Sequence, residues 1–135
     1  MVYSSTIEVS TRKNKQLVDI TSKVEQVVSG SGIKEGLVLV FATHTTTGLL
    51  INEREGGLLD DMESVLCTLV PSSGAYLHDR VDNNAASHIQ SVLLSVSLTV
   101  PVGSGRLSLG TWQSILLAER DGPRRRTLIV KVIGD

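Results

Sequence analysis

Apolar and polar residues alternate with two different periods along the chain, which predicts a mixture of strands and helices. Alternation with a period of two predicts a half-exposed strand over residues 3–10. A continuous apolar run at residues 37–41 predicts a strand that is buried on both faces. Alternation returns at residues 96–102 and 127–133, and a largely apolar run covers residues 112–119. The second half of the chain is therefore predicted to be mostly β.

The first predicted helix follows the first strand. Ser22 and Glu25 have the spacing of a capping box, in which each side chain satisfies a backbone N–H at the start of a helix. Gly30 and Gly32 are expected to end it. The apolar stripe of this helix consists of Ile20, Val24, Val27 and Val28.

Two further helices are predicted in the middle of the chain. Apolar residues recur at helical spacing from Leu58 to Leu69, and Pro71 disfavours helical geometry in the residue before it. A third helix is predicted over residues 83–94, with Asp82 as its cap. Its inward-facing residues are predicted to be Ala85, Ile89, Val92 and Leu93. With a short strand at residues 106–109, the order β-α-β-α-α-β-β-β-β indicates an α+β fold in one domain over residues 1–135.

Composition and charge exclude several classes of protein. Thirteen basic and fourteen acidic residues leave a net charge of −1, so no basic face is broad enough for nucleic acid. The single cysteine, Cys67, excludes an internal disulfide and a thiolate metal cluster. No apolar run approaches the roughly 18 residues of a membrane helix, and no apolar leader follows the N-terminus. A cytoplasmic protein without nucleic-acid or membrane partners is therefore expected.

The three histidines, His44, His78 and His88, are the main candidates for chemistry. Each is predicted to lie where an element begins or ends, or at the border of an apolar stripe. Three converging neutral imidazoles would suit a divalent ion such as zinc, with a fourth position open to water or substrate. Because the three lack the spacing of a His-x-x-x-His pair, the alternative is that each is a structural residue near the core.

Acidic and basic side chains accompany the histidines. Glu53, Asp79 and Asp82 are candidates for a general base or for a group that orients an imidazole, with solvation or helix capping as the alternative. The guanidinium of Arg124 or Arg126 is able to bind a phosphate or carboxylate through two parallel hydrogen bonds. The alternative for these arginines is a place along the surface of a sheet.

Taken together, an ordered set of segments resembles the YjbQ family, small proteins often labelled secondary thiamine-phosphate synthases. The set covers most of the chain from Phe41 to the end. The matching segments are HTTTGL at 44–49, INE at 51–53, YLHD at 76–79, DNNAASHI at 82–89, SLTVPV at 97–102, GRLSLGTWQ at 105–113 and ERDGPR at 119–124.

This resemblance implies a fold, an assembly and a set of site residues. The implied fold is an α+β β-sandwich of about seven mostly antiparallel strands with about three helices, and the implied assembly is a homotrimer. The resemblance also implies one shared site for the three histidines. By the same carry-over, five further side chains are candidate site residues beside the histidines, namely Asn52, Glu53, Gln113, Glu119 and Arg124.

The expected function is that of an enzyme with a histidine-lined metal site that acts on a small, anionic, phosphorylated substrate. The three histidines would bind a divalent metal, with zinc favoured over magnesium because the ligands are nitrogen atoms. Glu53 or Glu119 would transfer a proton, and Asn52, Gln113 and Arg124 would bind the substrate. Thiamine-phosphate synthase activity would be secondary, since the chain has no Walker-type phosphate loop. The alternatives are a metal-dependent hydrolase of phosphate esters and a non-catalytic ligand-binding or scaffold trimer.

Overall fold

The computed structural model describes residues 1–135 as eight strands, three α-helices and one short 3₁₀ helix. The strands are β1 (Val2–Ser10), β2 (Gln16–Asp19), β3 (Gly36–Ala42), β4 (Thr47–Asn52), β5 (Ser97–Gly103), β6 (Arg106–Leu107), β7 (Ser114–Glu119) and β8 (Arg125–Gly134). The helices are α1 (Thr21–Ser31), α2 (Gly56–Leu69) and α3 (Ala85–Leu93), with the 3₁₀ helix (Leu77–Arg80) between α2 and α3. No helix has both the length and the apolar character that a membrane crossing requires.

The strands form two antiparallel sheets that enclose one core. The larger sheet has the order β1-β8-β3-β5-β6, and the smaller sheet has the order β2-β7-β4. Buried side chains of both sheets and of α1 belong to the same apolar cluster, among them Val40, Leu117 and Val28. The predicted α+β class is confirmed. The structure has eight strands, against about seven implied by the family resemblance and six predicted from the apolar pattern, which missed β2 and β4.

The prediction that β3 is buried on both faces is wrong. Val38 and Val40 point into the core, whereas Leu37 and Phe41 are 52% and 37% exposed on the outer face of the larger sheet. Side chains alternate between the two faces of a strand, and only one face of this sheet is covered by the core. A continuous apolar run therefore does not distinguish a doubly covered strand from one with an apolar outer face.

The capping box predicted for α1 is also wrong. The N-cap is Ile20, two residues before Ser22, and Asp19 Oδ1 accepts hydrogen bonds from the N–H of Thr21 at 2.9 Å and from its hydroxyl at 2.6 Å. Glu25 instead accepts a hydrogen bond from the N–H of Leu107, which fixes β6 against the helix. The predicted end of the helix is confirmed, since Gly32 has the left-handed φ of 71°.

The helix α2 ends at Leu69 before Pro71, as predicted, but its apolar stripe does not enter the core. None of its residues is buried. Leu58, Met62 and Leu66 are only half-buried, because they face a groove rather than close-packed side chains. The helix forms an outer layer over the smaller sheet.

The start and the orientation of α3 differ from the prediction. Asp79 Oδ1, not Asp82, accepts the hydrogen bond from the N–H of Ala85 at the start of the helix. Three of the four residues predicted to face inward, Ile89, Val92 and Leu93, are 39%, 80% and 57% exposed. The buried side of the helix carries the small and polar residues Ala85, Ala86, Ser87 and Gln90.

Candidate functional site

One end of the sandwich carries most of the predicted site residues. At this end β4 begins at Thr47 and β7 ends at Glu119, and these two residues are paired in the sheet. The chain then turns through Arg124 into β8. We call this region the histidine end, defined by His44, His78, His88, Glu119 and Arg124.

The three histidines come from three separate segments and gather beside α3. His44 and His88 line one cleft of about 520 Å³, together with Thr45, Thr47, Ser91, Val92, Leu94 and Val96. The ring of His78, from the 3₁₀ helix, lies edge-on to the ring of His88, with 4.8 Å between the ring centroids. The resulting arrangement is a histidine-lined cleft with a third imidazole at its border.

His44 is held as a neutral ring. Its Nε2 accepts a hydrogen bond from the N–H of Thr127 at 2.8 Å, which requires a lone pair on that nitrogen and leaves the proton on Nδ1. Burial, followed by the positive charge of Arg126, lowers the pKa of His44 below its ordinary value of 6.5. The Nδ1–H group is therefore the part of the ring that remains able to bond a ligand.

We expect His44 to titrate below pH 6.5 in the folded protein, as measured by the pH dependence of its ring proton shifts in NMR spectra. Because the pKa in the folded state is lowered, the stability that His44 contributes is present above pH 6.5 and is lost as the pH falls through the folded pKa. Arg124→Gln should raise the pKa of His44, since Arg124 is one of the charges that lower it. A folded pKa at or above 6.5 would contradict the neutral ring.

A buried ion pair lies behind the histidine cleft. Arg126 donates to both carboxylate oxygens of Glu119, from Nε at 2.8 Å and from Nη2 at 2.5 Å. The hydroxyl of Thr11 and the N–H of Asp121 donate to the same carboxylate. Arg126 Nη2 also donates to the hydroxyl of Thr46 at 2.8 Å, so the pair holds the loop that follows His44.

Glu119 is thus a saturated acceptor. Burial raises the pKa of its carboxyl group. The hydrogen bonds from Arg126, Asp121 and Thr11 lower this pKa by more than burial raises it, so the net pKa is below the ordinary value. The side chain is completely buried, and its bonds with Arg126, Thr11 and Asp121 engage both oxygens. The role of Glu119 in transferring a proton stays a prediction, and this geometry favours a residue that positions Arg126 and the loop after His44.

Arg124 lies at the surface of the histidine end. Its Nε donates to the carbonyl oxygen of Asp121 at 2.8 Å, and its Nη2 lies 3.2 Å from the Asp121 carboxylate. The side chain is 56% exposed, so part of the guanidinium is open to solvent. Asn84 also donates to the Asp121 carboxylate, which links Arg124 to the start of α3. Arg124 is accordingly oriented and accessible, whereas Arg126 is taken up by Glu119.

The other three predicted site residues lie elsewhere. Asn52, Glu53 and Gln113 line a separate pocket of about 260 Å³ with Ile51 and Trp112. Asn52 pairs with Ser114 at the far end of β4 and β7, five residues from the pairing of Thr47 with Glu119. Five residues of an antiparallel strand span roughly 17 Å. Within one chain these three residues do not meet the histidines, and their roles stay predictions.

Thr47 is a feature of the site that pattern analysis did not identify. It lines the cleft, and its hydroxyl is buried without a hydrogen-bond partner. Buried polar groups are almost always paired, so an unpaired hydroxyl beside a cleft indicates a place where a ligand or water could bond. The sequence offered only the run Thr45, Thr46 and Thr47 after His44, which does not tell which hydroxyl lacks a partner.

The donor set for a metal is incomplete in a single chain. No group of three or more His, Cys, Asp or Glu side chains is arranged to hold a metal ion. The rings of His78 and His88 are neighbours, with 4.8 Å between their centroids, in the edge-on geometry of an aromatic pair. The neutral ring of His44 has one lone pair able to bind a metal, on Nε2, and this lone pair accepts the hydrogen bond from the N–H of Thr127. Two of the three histidines are therefore the better candidates for metal ligands.

Residues 5–135 match the family model described as UPF0047 protein YjbQ-like. The chain belongs to the YjbQ family. The resemblance found in the sequence is thereby confirmed over nearly the whole chain.

Other YjbQ proteins are similar to this chain along most of their length. A UPF0047 protein of Methanothermobacter thermautotrophicus is 48% identical over 133 residues, which cover 98% of this chain and 93% of the relative. The UPF0047 protein YugU of Bacillus subtilis is 37% identical and covers 96% of this chain and 98% of its own length. The crystal structure of a protein of unknown function from Sulfolobus solfataricus has a TM-score of 0.97 at 40% identity, covering 100% of this chain and 99% of the other. The names of these relatives state no substrate and no reaction.

Proposed function

We propose that the protein is an enzyme whose active site is the histidine end, and that this site binds a transition metal and a small phosphorylated substrate. The observation that carries the proposal is the gathering of His44, His78 and His88, from three separate segments, around one cleft. The buried pair of Glu119 and Arg126 supports the loop of His44 from behind. Such clefts with a few convergent polar groups are the usual places of catalysis and binding.

The three histidines divide into two roles. His78 and His88 would hold the metal, and zinc is favoured over magnesium because imidazole nitrogen suits zinc better than it suits magnesium. When bound, zinc supplies Lewis acidity and lowers the pKa of bound water. His44 would instead donate a hydrogen bond from Nδ1–H to the substrate, because its Nε2 accepts from Thr127.

Arg124 would bind the anionic group of the substrate. Its guanidinium is held by Asp121 and is partly open to solvent, which suits recognition of phosphate oxygens. Glu119 would position Arg126, and Arg126 in turn would hold the loop that follows His44. Asn52, Glu53 and Gln113 would join the site only if another chain of the proposed homotrimer carried them to it, since they lie at the other end of β4 within one chain.

We expect elemental analysis of tag-free protein, incubated with zinc and dialysed, to find about one zinc ion per chain. His78→Asn and His88→Asn should lose the metal, whereas His44→Asn should keep it, because its lone pair is bonded to Thr127. Gln113→Ala, in the distant pocket, is the matched control and should also keep it. Metal absent from the unmodified protein, or lost equally in all four variants, would overturn these assignments.

Turnover should be measured on simple phosphate esters and, in parallel, on the two precursors of thiamine phosphate. Metal-activated water favours ester hydrolysis, so we expect hydrolysis that His88→Asn abolishes and any thiamine-phosphate synthase activity to be weaker. If neither reaction is detected and the histidine variants change only the melting temperature, the protein is a non-catalytic ligand-binding or scaffold trimer.

A further inference from the structure

A second cavity adjoins the histidine cleft. It is a groove of about 350 Å³ between α2 and the outer face of the smaller sheet, which we call the apolar groove. Seven of its eight lining residues are hydrophobic, with Leu17 and Leu50 on the sheet and Leu58, Met62 and Leu66 on α2. Asp61 is the exception. The groove thus offers almost nothing to a polar ligand and a large contact area to an apolar one.

The apolar side of α2 faces the groove, and an ion pair connects the same helix to the sandwich. A bidentate ion pair joins Glu63 of the helix to Arg120, with distances of 2.5 and 2.9 Å. No residue of α2 is buried, although its apolar side faces the groove. Apolar surface left in contact with water costs free energy in proportion to its area, so an apolar group that fills the groove would be bound favourably.

One residue, Leu94, joins the apolar groove to the histidine cleft. It lines both cavities and is itself half-buried. Its side chain packs on Gly48, where a Cβ atom would lie only 2.5 Å from Leu94 Cβ. Gly48 directly follows Thr47 of the cleft, so this glycine allows Leu94 to lie against β4 between the two cavities. A ligand that passes Leu94 would contact both.

We propose that the ligand of the histidine end is amphiphilic, namely a phosphate monoester with an apolar body. The phosphate group binds at the histidine end, and the apolar body extends past Leu94 into the apolar groove. This inference rests on the proposed function, because it takes the anionic group to bind beside the histidines. It adds the chemical class of the remainder of the substrate.

The test is a calorimetric titration of the zinc-incubated protein with inorganic phosphate and with ethyl, butyl and hexyl phosphate. The affinity should rise with the chain length beyond ethyl phosphate, by up to about fourfold per methylene group that enters the groove. Met62→Gln places an amide in the groove and should abolish this rise while leaving the affinity for inorganic phosphate unchanged. Leu69→Gln, on the same helix but outside the groove and 66% exposed, is the matched control and should keep the rise.

The possible outcomes separate this inference from the proposed function. If all four compounds bind with the same affinity, the amphiphilic ligand is overturned and the anionic site stands. If none of them binds, the proposed function is overturned together with the inference. A rise that Met62→Gln and Leu69→Gln reduce equally would show that the chain does not occupy the groove, and it would overturn the inference as well.

Discussion

We expect Glu119→Gln to lower the free energy of unfolding by about 3–5 kcal/mol, because it leaves the guanidinium of Arg126 buried without a counter-charge. The side chains of Glu119 and Arg126 are 0% and 4% exposed, so water cannot replace the lost carboxylate without opening the end of the sandwich. The amide also loses one of the two acceptor oxygens that Arg126, Thr11 and Asp121 share. Urea unfolding followed by circular dichroism would measure the loss.

Two controls make this prediction specific to the buried pair. Glu119→Gln combined with Arg126→Met should recover part of the lost stability, since no unpaired charge then remains. Glu8→Gln breaks the ion pair of Glu8 with Arg125, whose side chains are 62% and 72% exposed, and should change stability by about 1 kcal/mol or less. A Glu119→Gln variant as stable as Glu8→Gln would contradict the proposed importance of the pair.

The same pair should make the protein sensitive to acid. The pKa of Glu119 is lowered in the folded protein, so its contribution to stability is present above the unfolded value of 4.5. That contribution is lost as the pH falls from 4.5 through the folded pKa. The stability of Glu119→Gln should accordingly fall less than that of the unmodified protein over this acidic range.

The second large effect is expected at the ion pair that holds α2. Glu63→Ala should lower the free energy of unfolding by about 2–3 kcal/mol, because Arg120 then remains completely buried with only Gln90 as a side-chain acceptor. The carboxylate of Glu63 is 25% exposed, which places the expected loss below that at Glu119. Alanine is a good helix former, so the loss would not reflect helix propensity.

Hydrogen exchange would locate this second effect. The amides of α2 should exchange faster in Glu63→Ala, since the ion pair is its main polar connection to the sandwich. Asp60→Ala, on the exposed side of the same helix, is the matched control and should change neither stability nor exchange appreciably. Equal exchange of α2 in both variants would show that the ion pair does not hold the helix.

Much of the secondary structure was predictable because its signals are local. The end of α1 at Gly32, the end of α2 before Pro71 and the alternation of β1 each depend on neighbouring residues. β2 was missed because it is only four residues long and all four are half-buried. β4 was missed because two of its six residues, Gly48 and Asn52, are of types that are depleted in strands.

For the candidate site, the sequence identified which residues could take part, and the tertiary structure decided their hydrogen-bond partners and their distances from one another. The motif that contains His44 was recognisable, but the use of its Nε2 depends on Thr127, which lies 83 residues away. Arg124 and Arg126 were equivalent as anion binders until the structure placed only Arg126 against Glu119. Asn52, Glu53 and Gln113 belong to motifs of the same family, yet the strands carry them to the opposite end of the sheet.

By itself, the sequence determined the α+β class, the membership in the YjbQ family and the three histidines for which a common site is proposed. Only the tertiary structure decided that Glu119 is enclosed in an ion pair and that Leu94 joins a polar cleft to an apolar groove. The physical reason is that periodicity and capping act over a few residues along the chain. Burial, hydrogen-bond partners and cavities depend instead on residues that packing brings together from distant segments.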